Sequence, residues 1–479
     1  MKTLKLILIF VFSAYLINPA YASEILDIKQ NFNGADFWQE SQKTKTILDG
    51  HEIRNTFPEK NWWLKFNDPL LTDYIEQTIR ENRDIKTALS HIEEARATAR
   101  YTMGSEFPQV TVYPSYFRLK NSAVSKTSGP ASAASSKPAS NIFLVPVVAQ
   151  YELDLFLKNH DKTKSSKKEA VATEFDEQTV QISLISETAT AYFNLIKSDK
   201  LLELNKQLLC ELEKSRELKN SLFKEGEISY DDILINEQAI AKTQADTAQL
   251  QKLQETAVHQ LCILTGKFPV EQSCFPRSDF DKIFFDKEIQ IGTPCDLISR
   301  RPDILAAEAR LQEAGINISV ARKEFLPVFN ITGAFGYESI PLNTLFNLKG
   351  ILAAAGAIAS ESLFTGGRKT ATLRLNKAKC KTALLQYQKT ILVSFQEVED
   401  SLSTIKSDFM QHKETESQVL KSEHLLELTN SRYQQGENSL LDVINAQKEL
   451  INLEQIKVQL KSDLLIDNIS LYKSLGGGF

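Results

Sequence analysis

The sequence predicts a mixed α+β chain, mainly helical, built from one unit used twice. Three observations carry this: a long gapless self-similarity, two helical tracts free of breakers, and short alternating segments placed before each tract. "RDIKTALSHIEEARATARYTMGSEFPQVTV" (Arg83–Val112) aligns without a gap on "PDILAAEARLQEAGINISVARKEFLPVFNI" (Pro302–Ile331), so that Asp84 meets Asp303, Ala88 meets Ala307 and Pro108 meets Pro327. "FKEGEISYDDILINE" (Phe223–Glu237) and "YQQGENSLLDVINAQ" (Tyr433–Gln447) form a second matched pair. Such self-similarity marks a duplicated supersecondary unit. Each copy runs helix, strand, loop, strand, then two very long helices.

The first helix is expected from about Asp68 to Ser105, and again from Cys295 to Glu324. Both end just before a proline, which disfavours helix in the residue preceding it. After Pro327 the chain alternates: Phe329, Ile331, Phe335 and Tyr337 share one face, Asn330, Thr332 and Glu338 the other. That is a strand with one apolar and one wet side. In the first copy Val110, Val112 and Tyr116 oppose Thr111 and Ser115, with Pro114 interrupting. A second strand is expected over Asn141–Phe156, where Ala149, Tyr151, Leu153 and Leu155 alternate with Gln150, Glu152 and Asp154. Its counterpart, Ile351–Phe364, alternates poorly and is assigned by repeat logic. The small polar stretch Lys120–Asn141 is an expected exposed loop.

Asp161–Phe223 and Arg368–Gln435 contain neither Pro nor Gly. At 1.5 Å per residue each spans roughly 90–100 Å. Ile182, Ile185, Ala189, Tyr192 and Ile196 step by three and four, as do Phe395, Val398, Leu402, Ile405 and Phe409. This is coiled-coil spacing. Gly226 and Gly436 then stop the tracts, since glycine takes positive φ at little cost. Ser229 and Ser439 offer oxygen to the N–H groups of the next helix. Asp232 and Asp442 fall at its third position, where a carboxylate suits the positive helix end. Both breaks therefore read as hairpin turns.

Lys2 and Lys5 precede an apolar run from Leu6 to Ile17, and "AYA" (Ala20–Ala22) is a small-residue cleavage site. Residues 1–22 are an expected export signal with no cysteine at the cut for lipid attachment. Losing Lys2 and Lys5 takes the formal charge from −5 to −7, which at the scale of the whole chain disfavours nucleic acid or anionic lipid as a partner. The five cysteines, Cys210, Cys262, Cys274, Cys295 and Cys380, keep no metal-ligand spacing and read mainly as free thiols, with a Cys274 bridge as the alternative. The histidines (His51, His91, His160, His259, His412, His424) are scattered, so no metal and no cofactor is expected. No Walker loop, His-Glu-x-x-His or Gly-x-Ser-x-Gly is present, and an enzyme is not expected. Beyond the signal no apolar run reaches the roughly 18–20 residues of a spanning helix.

Any membrane passage is therefore by strands. Four strands per chain cannot close, and an open edge in lipid leaves peptide groups unsatisfied. Two chains supply eight strands and three supply twelve; a passage requires more than eight, and strand counting does not separate three chains from four. The expected organisation is a signal (1–22), an extension (23–61), a first repeat (62–266), a linker (267–292) and a second repeat (293–479).

"WWLKFNDPLL" (Trp62–Leu71), "DLISRRPDILAAEARL" (Asp296–Leu311), "YQQGENSLLDVINAQ" and the ending "LYKSLGGGF" (Leu471–Phe479) together resemble the outer-membrane factor family, the TolC-like exit ducts of Gram-negative export systems. The resemblance runs from about Trp62 to the C-terminus. It implies a homotrimer in outer-membrane lipid, with a shared twelve-stranded β-barrel continued by a periplasmic α-barrel of coiled-coil hairpins. It also implies a periplasmic adaptor and an inner-membrane pump as partners, with small molecules or polypeptides as cargo. On matching positions, Asp232 and Tyr433 fall where the family makes tip contacts that hold the entrance shut. Asp442 and Asn445 fall where carboxylates ring the pore. Asn445 stands where Asp is common, so one acidic ring is expected to be lost. Repeated by symmetry, Asp442 would crowd like charges, favouring cations and raising some carboxyl pKa values. Gly226, Ser229, Gly436 and Ser439 shape the turns near which an adaptor would dock. A non-conducting periplasmic coiled-coil adaptor or scaffold is the competing reading; it leaves the alternating strands and Phe479 unexplained.

Overall fold

The computed structural model describes residues 52–54, 60–119, 140–269, 275–283, 288–290 and 294–478. The expected signal, nearly all of the extension, most of the polar loop, Cys274 and Phe479 lie outside the described residues. The elements are β1 (Glu52–Arg54), α1 (Pro69–Glu81), α2 (Arg83–Met103), β2 (Gln109–Val112), β3 (Ser115–Leu119), β4 (Ser140–Leu153), α3 (Lys158–Lys224), α4 (Tyr230–Leu264), β5 (Glu288–Gln290), α5 (Pro294–Arg300), α6 (Pro302–Lys323), β6 (Val328–Ser339), β7 (Ile351–Ser360), α7 (Arg368–Gln434) and α8 (Leu440–Ser474). α3 and α7 are both 67 residues long, and α4 and α8 are both 35. No described helix is long and apolar enough to cross a membrane.

Two compact units divide the chain, one of which contains Glu93–Val171 and Ala309–Leu385. This unit holds an antiparallel sheet in the order β2–β4–β6–β7, with β3 also pairing with β4. Pro114 has no amide hydrogen, so the first strand of copy one is split into β2 and β3; the Tyr113 amide still donates to the Pro146 carbonyl at 2.9 Å across the gap. The register sets Tyr151 opposite Ile331, Val147 opposite Phe335 and Leu153 opposite Phe329 on one face. Gln150 opposite Thr332 and Glu152 opposite Asn330 occupy the other. One face is thus apolar, and Ile331 and Phe335 on it are exposed. β4 ends sooner than expected because Asp154 caps α3 instead, accepting the Lys158 amide at 2.7 Å and the His160 amide at 2.9 Å. β7 likewise stops at Ser360, and Gly366 and Gly367 turn the chain into α7 with positive φ.

The other unit carries Ala172–Glu308 and Gln386–Phe479 together with the described residues before Glu93. The spacing of three and four finds its physical meaning here: Ile182, Ile185, Ala189, Tyr192 and Ile196 are all buried, as are Phe395, Val398, Leu402 and Ile405. β1 and β5 pair in parallel. Asp68 caps α1, accepting the Leu70 amide at 2.9 Å. The same buried carboxylate accepts the Ser278 hydroxyl at 2.9 Å and the Tyr192 hydroxyl at 2.8 Å. Trp62 stacks on Tyr472 with ring centroids 5.0 Å apart. Cys262 is a buried free thiol and Cys210 an exposed one, and Cys380 is buried.

The first helix of each copy departs from expectation. It breaks in two, at Asn82 in copy one and at Arg301 in copy two. Both break residues do equivalent work. Asn82 donates through Nδ2 to the Leu264 carbonyl at 2.9 Å, and its Oδ1 accepts the Asp84 amide at 2.7 Å. Arg301 donates through Nη1 to the Ser474 carbonyl at 2.8 Å and through Nε to Asp303 at 2.8 Å, and its Nη2 pairs with Glu397. Leu264 and Ser474 are the last residues of α4 and α8, whose final carbonyls lack partners within the helix. Each long hairpin is therefore capped by the break in its own copy's first helix. Gly476 (φ +89°) lies so close that an added Cβ would sit 3.3 Å from the Arg301 Cα. The motifs "RRPD" and "LYKSLGGG" meet at this joint.

Asp408 on α7 and Asp467 on α8 face one another, and Asp467 Oδ2 is buried with no donor among the described residues. Two apposed carboxyls hydrogen-bond only when one keeps a proton. Burial, then the Asp408 charge and hydrogen bond, push the Asp467 carboxyl up to about 7, with the Asp463 charge adding to the effect. Lys197 lies 3.8 Å from Asp463.

Arg301→Ala is expected to lower stability by about 3 kcal/mol or more, because Glu397, Asp303 and the Ser474 carbonyl lose a buried partner. Asn82→Ala is expected to cost about 1–2 kcal/mol. Denaturant midpoints in detergent measure both. The Asp467 contribution is present in full below the ordinary aspartate value of 3.8 and is lost as pH rises through about 7. Asp467→Asn should flatten that decline, seen as a smaller drop in thermal midpoint between pH 5 and pH 8.

Candidate functional site

The candidate site is the pair of hairpin turns, built from the same backbone chemistry. In the first, the Glu227 amide donates to the Leu222 carbonyl and the Gly226 amide to the Phe223 carbonyl, both at 3.0 Å. In the second, the Glu437 amide donates to Arg432 at 2.9 Å and the Gly436 amide to Tyr433 at 3.0 Å. This is the Schellman pattern, which needs a left-handed residue after the helix. Gly226 and Gly436 supply it with φ of +79° and +78°, in open space.

A capping box then starts the next helix in both copies. The Asp232 carboxylate accepts the Ser229 amide at 3.2 Å and hydroxyl at 3.0 Å. The Asp442 carboxylate accepts the Ser439 amide at 2.9 Å and hydroxyl at 2.8 Å, and the Asp442 amide donates to Ser439 Oγ at 3.2 Å. The Ser439 hydroxyl and amide hold the Asp442 carboxyl below the usual carboxylate range. Within one chain the shift is thus opposite to the rise expected of a crowded acidic ring, because the cap stabilises the charge.

Tyr433 is 42% exposed. Its side chain and that of Asn445, also exposed, make no hydrogen bond among the described residues. The structure therefore brings Ser229 to Asp232 and Ser439 to Asp442, and leaves Tyr433 and Asn445 facing outward. Asp232 and Tyr433 are not joined within the chain.

The residues that distinguish the two hairpins were not legible in the sequence. In the first, Lys219 Nζ donates to the Asp232 carbonyl at 3.0 Å and Asn236 Nδ2 to the Leu212 carbonyl at 3.0 Å, both across the hairpin. Phe223 and Tyr230 pack across the turn with centroids 5.8 Å apart. In the second, the corresponding positions are Thr429, which folds back on Leu425 of its own helix at 2.8 Å, and Ala446, which has no side-chain donor. The first turn is pinned across its helices, and the second has no equivalent pins. Among the described residues no group of His, Cys, Asp and Glu is arranged to hold a metal ion.

Comparison with known proteins agrees with this architecture. The outer membrane efflux protein family model matches residues 74–267 and 294–477. The solvent efflux pump outer membrane protein SrpC of Pseudomonas putida is 28% identical over 444 residues, 92% of each chain. The outer-membrane channel OprN is 27% identical with a TM-score of 0.80, covering 90% of this chain and 95% of its own. The open-state structure of the Neisseria gonorrhoeae MtrE outer membrane channel is 25% identical with a TM-score of 0.74, covering 86% and 89%. With two matched segments spanning both copies of the repeat, the chain belongs to the outer membrane efflux protein family.

Proposed function

We propose that the protein is the outer-membrane exit duct of a tripartite efflux or type I secretion system, closed at its hairpin turns. The observation that carries this reading is the sheet. One face is apolar and exposed, and β2/β3 and β7 leave its outer edges without partners among the described residues. Such edges in lipid call for further copies of the same sheet. Three chains would give twelve strands around a passage, and the long helices would continue it into the periplasm. An adaptor and an inner-membrane pump would complete the system at the far end. The duct performs no chemistry of its own; the two repeats, 62–266 and 293–479, are scaffold for a conduit. The relatives' names support this reading, since SrpC is an efflux pump outer membrane protein and MtrE a channel with an open state.

The gate in this reading lies between chains. Asp232 and Tyr433 are unlinked within the chain, so their contact would join one protomer to its neighbour. The unpinned second hairpin would move and the pinned first would stay. Asp442 would ring the constriction with negative charge, and Asn445 would leave the adjacent ring neutral.

Purified protein in a planar bilayer should give small, cation-selective currents that grow in an Asp232→Ala, Tyr433→Ala double variant. Ser229→Ala, which weakens the same helix cap without removing the charge, should leave them small. Large wild-type currents unaffected by the double variant would reduce both residues to turn formers. No current from inserted protein would favour a scaffold. Asn445→Asp should restore a second acidic ring and raise cation preference, most strongly at low salt, where screening is weak.

A further inference from the structure

We propose that the corners where strands pass into long helices form a collar that binds anionic phospholipid headgroups of the periplasmic leaflet. The inference rests on the membrane reading above. Both corners carry the same two-part surface. First come apolar side chains in the open: Leu155 and Leu157 in copy one, Leu363 (96% exposed) and Phe364 (90%) in copy two. A basic helix start follows. α3 begins with Lys158, Lys162, Lys164, Lys167 and Lys168. α7 carries Arg368, Lys369, Arg374, Lys377, Lys379 and Lys381, with no acid before Glu397. This stands out in a chain of net charge −5.

Helix stability does not account for the pattern. The N-terminal end of a helix is its positive end and favours acids. Yet the duplication places basic groups there twice, with Lys164 matching Arg374 and Lys167 matching Lys377. These four side chains are exposed and have no ion pair or hydrogen bond among the described residues.

Their direction follows from the helix period. Lys158 pairs at 2.7 Å with Glu152, which lies on the polar face of β4. At about 100° per residue, Lys164 and Lys167 point roughly 240° and 180° away from Lys158, toward the side that continues the apolar face of the sheet. They stand about 9 and 14 Å along the helix from Lys158, at the depth of a headgroup layer just beyond the hydrocarbon edge. Apolar anchors at the edge followed by unpaired cations suit an anionic lipid surface.

The test compares wild type with a Lys164→Gln, Lys167→Gln, Arg374→Gln, Lys377→Gln variant in nanodiscs of mixed phosphatidylcholine and phosphatidylglycerol. After mild extraction, the lipids that stay bound are counted by native mass spectrometry. The wild type should retain phosphatidylglycerol in several-fold excess over the disc composition, and raised salt should remove that excess. In the variant the retained ratio should fall to that of the disc. A wild-type ratio equal to the disc composition, or insensitive to salt, overturns the collar even if the variant does not fold. A variant that keeps the lipid preference but changes anion conductance also overturns it, assigning the cations to the passage wall. Failure of the wild type to enter neutral discs at all would instead sink the membrane reading on which the collar rests.

Discussion

The fold depends on how each long hairpin ends. The amides that follow each 35-residue helix take the carbonyls of Leu261, Cys262 and Ile263 in α4 and of Leu471, Tyr472 and Lys473 in α8, and the carbonyl of the last residue falls to a side chain from elsewhere. Here the last residue of α4 is met by Asn82, and that of α8 by Arg301. Each donor sits at a break in a helix far away in sequence, where its side chain reaches the carbonyl. The duplication preserved the task and changed the residue. The arginine joint adds two carboxylates, and Gly476 allows the backbone to come close. The aromatic stack of Trp62 on Tyr472 lies on the same last stretch of α8. Three of the four family motifs thus serve to hold a hairpin's root, and only one shapes its turn.

That division has a mechanical meaning. The roots are fixed by buried bonds, neutral at Asn82 and charge-assisted at Arg301, while the turns are held by backbone caps in open space. Motion is cheapest where few buried contacts must break. Copy one adds two side-chain bonds and an aromatic pair across its hairpin near the turn, and copy two adds none at the same positions. Changes at Lys219/Thr429 and Asn236/Ala446 have left the two copies of one unit with different bonds across their hairpins.

Much of this was legible before the structure. Long tracts without Pro or Gly, apolar residues stepping by three and four, and the Gly-x-x-Ser-x-x-Asp turns all express local rules, and the helices and caps followed them. The clean alternation after Pro327 became β6 for the same reason. What was not legible depended on distant partners. Asn82 is an ordinary residue in a helical pattern, and nothing local announces that its amide is needed by Leu264. Arg301 gave a weak signal, since Pro302 follows it. Asp408 and Asp467 stand on separate helices, and no local pattern pairs them. The candidate gate residues were placed by resemblance; Asp232 and Asp442 have their capping partners three residues away, whereas Tyr433 and Asn445 make no side-chain hydrogen bond among the described residues.

The outer strands, whose edges have no partner among the described residues, have a genetic corollary. A sheet whose edges are satisfied only by copies of itself makes each chain an unfinished object. A subunit with sound helices and one spoiled edge would still be recruited by its other edge. It would then withdraw good subunits from service, so the share of complete assemblies would fall faster than the share of sound chains. Damage to β2, β3 or β7 would behave as dominant, and damage to the interior of a hairpin as recessive.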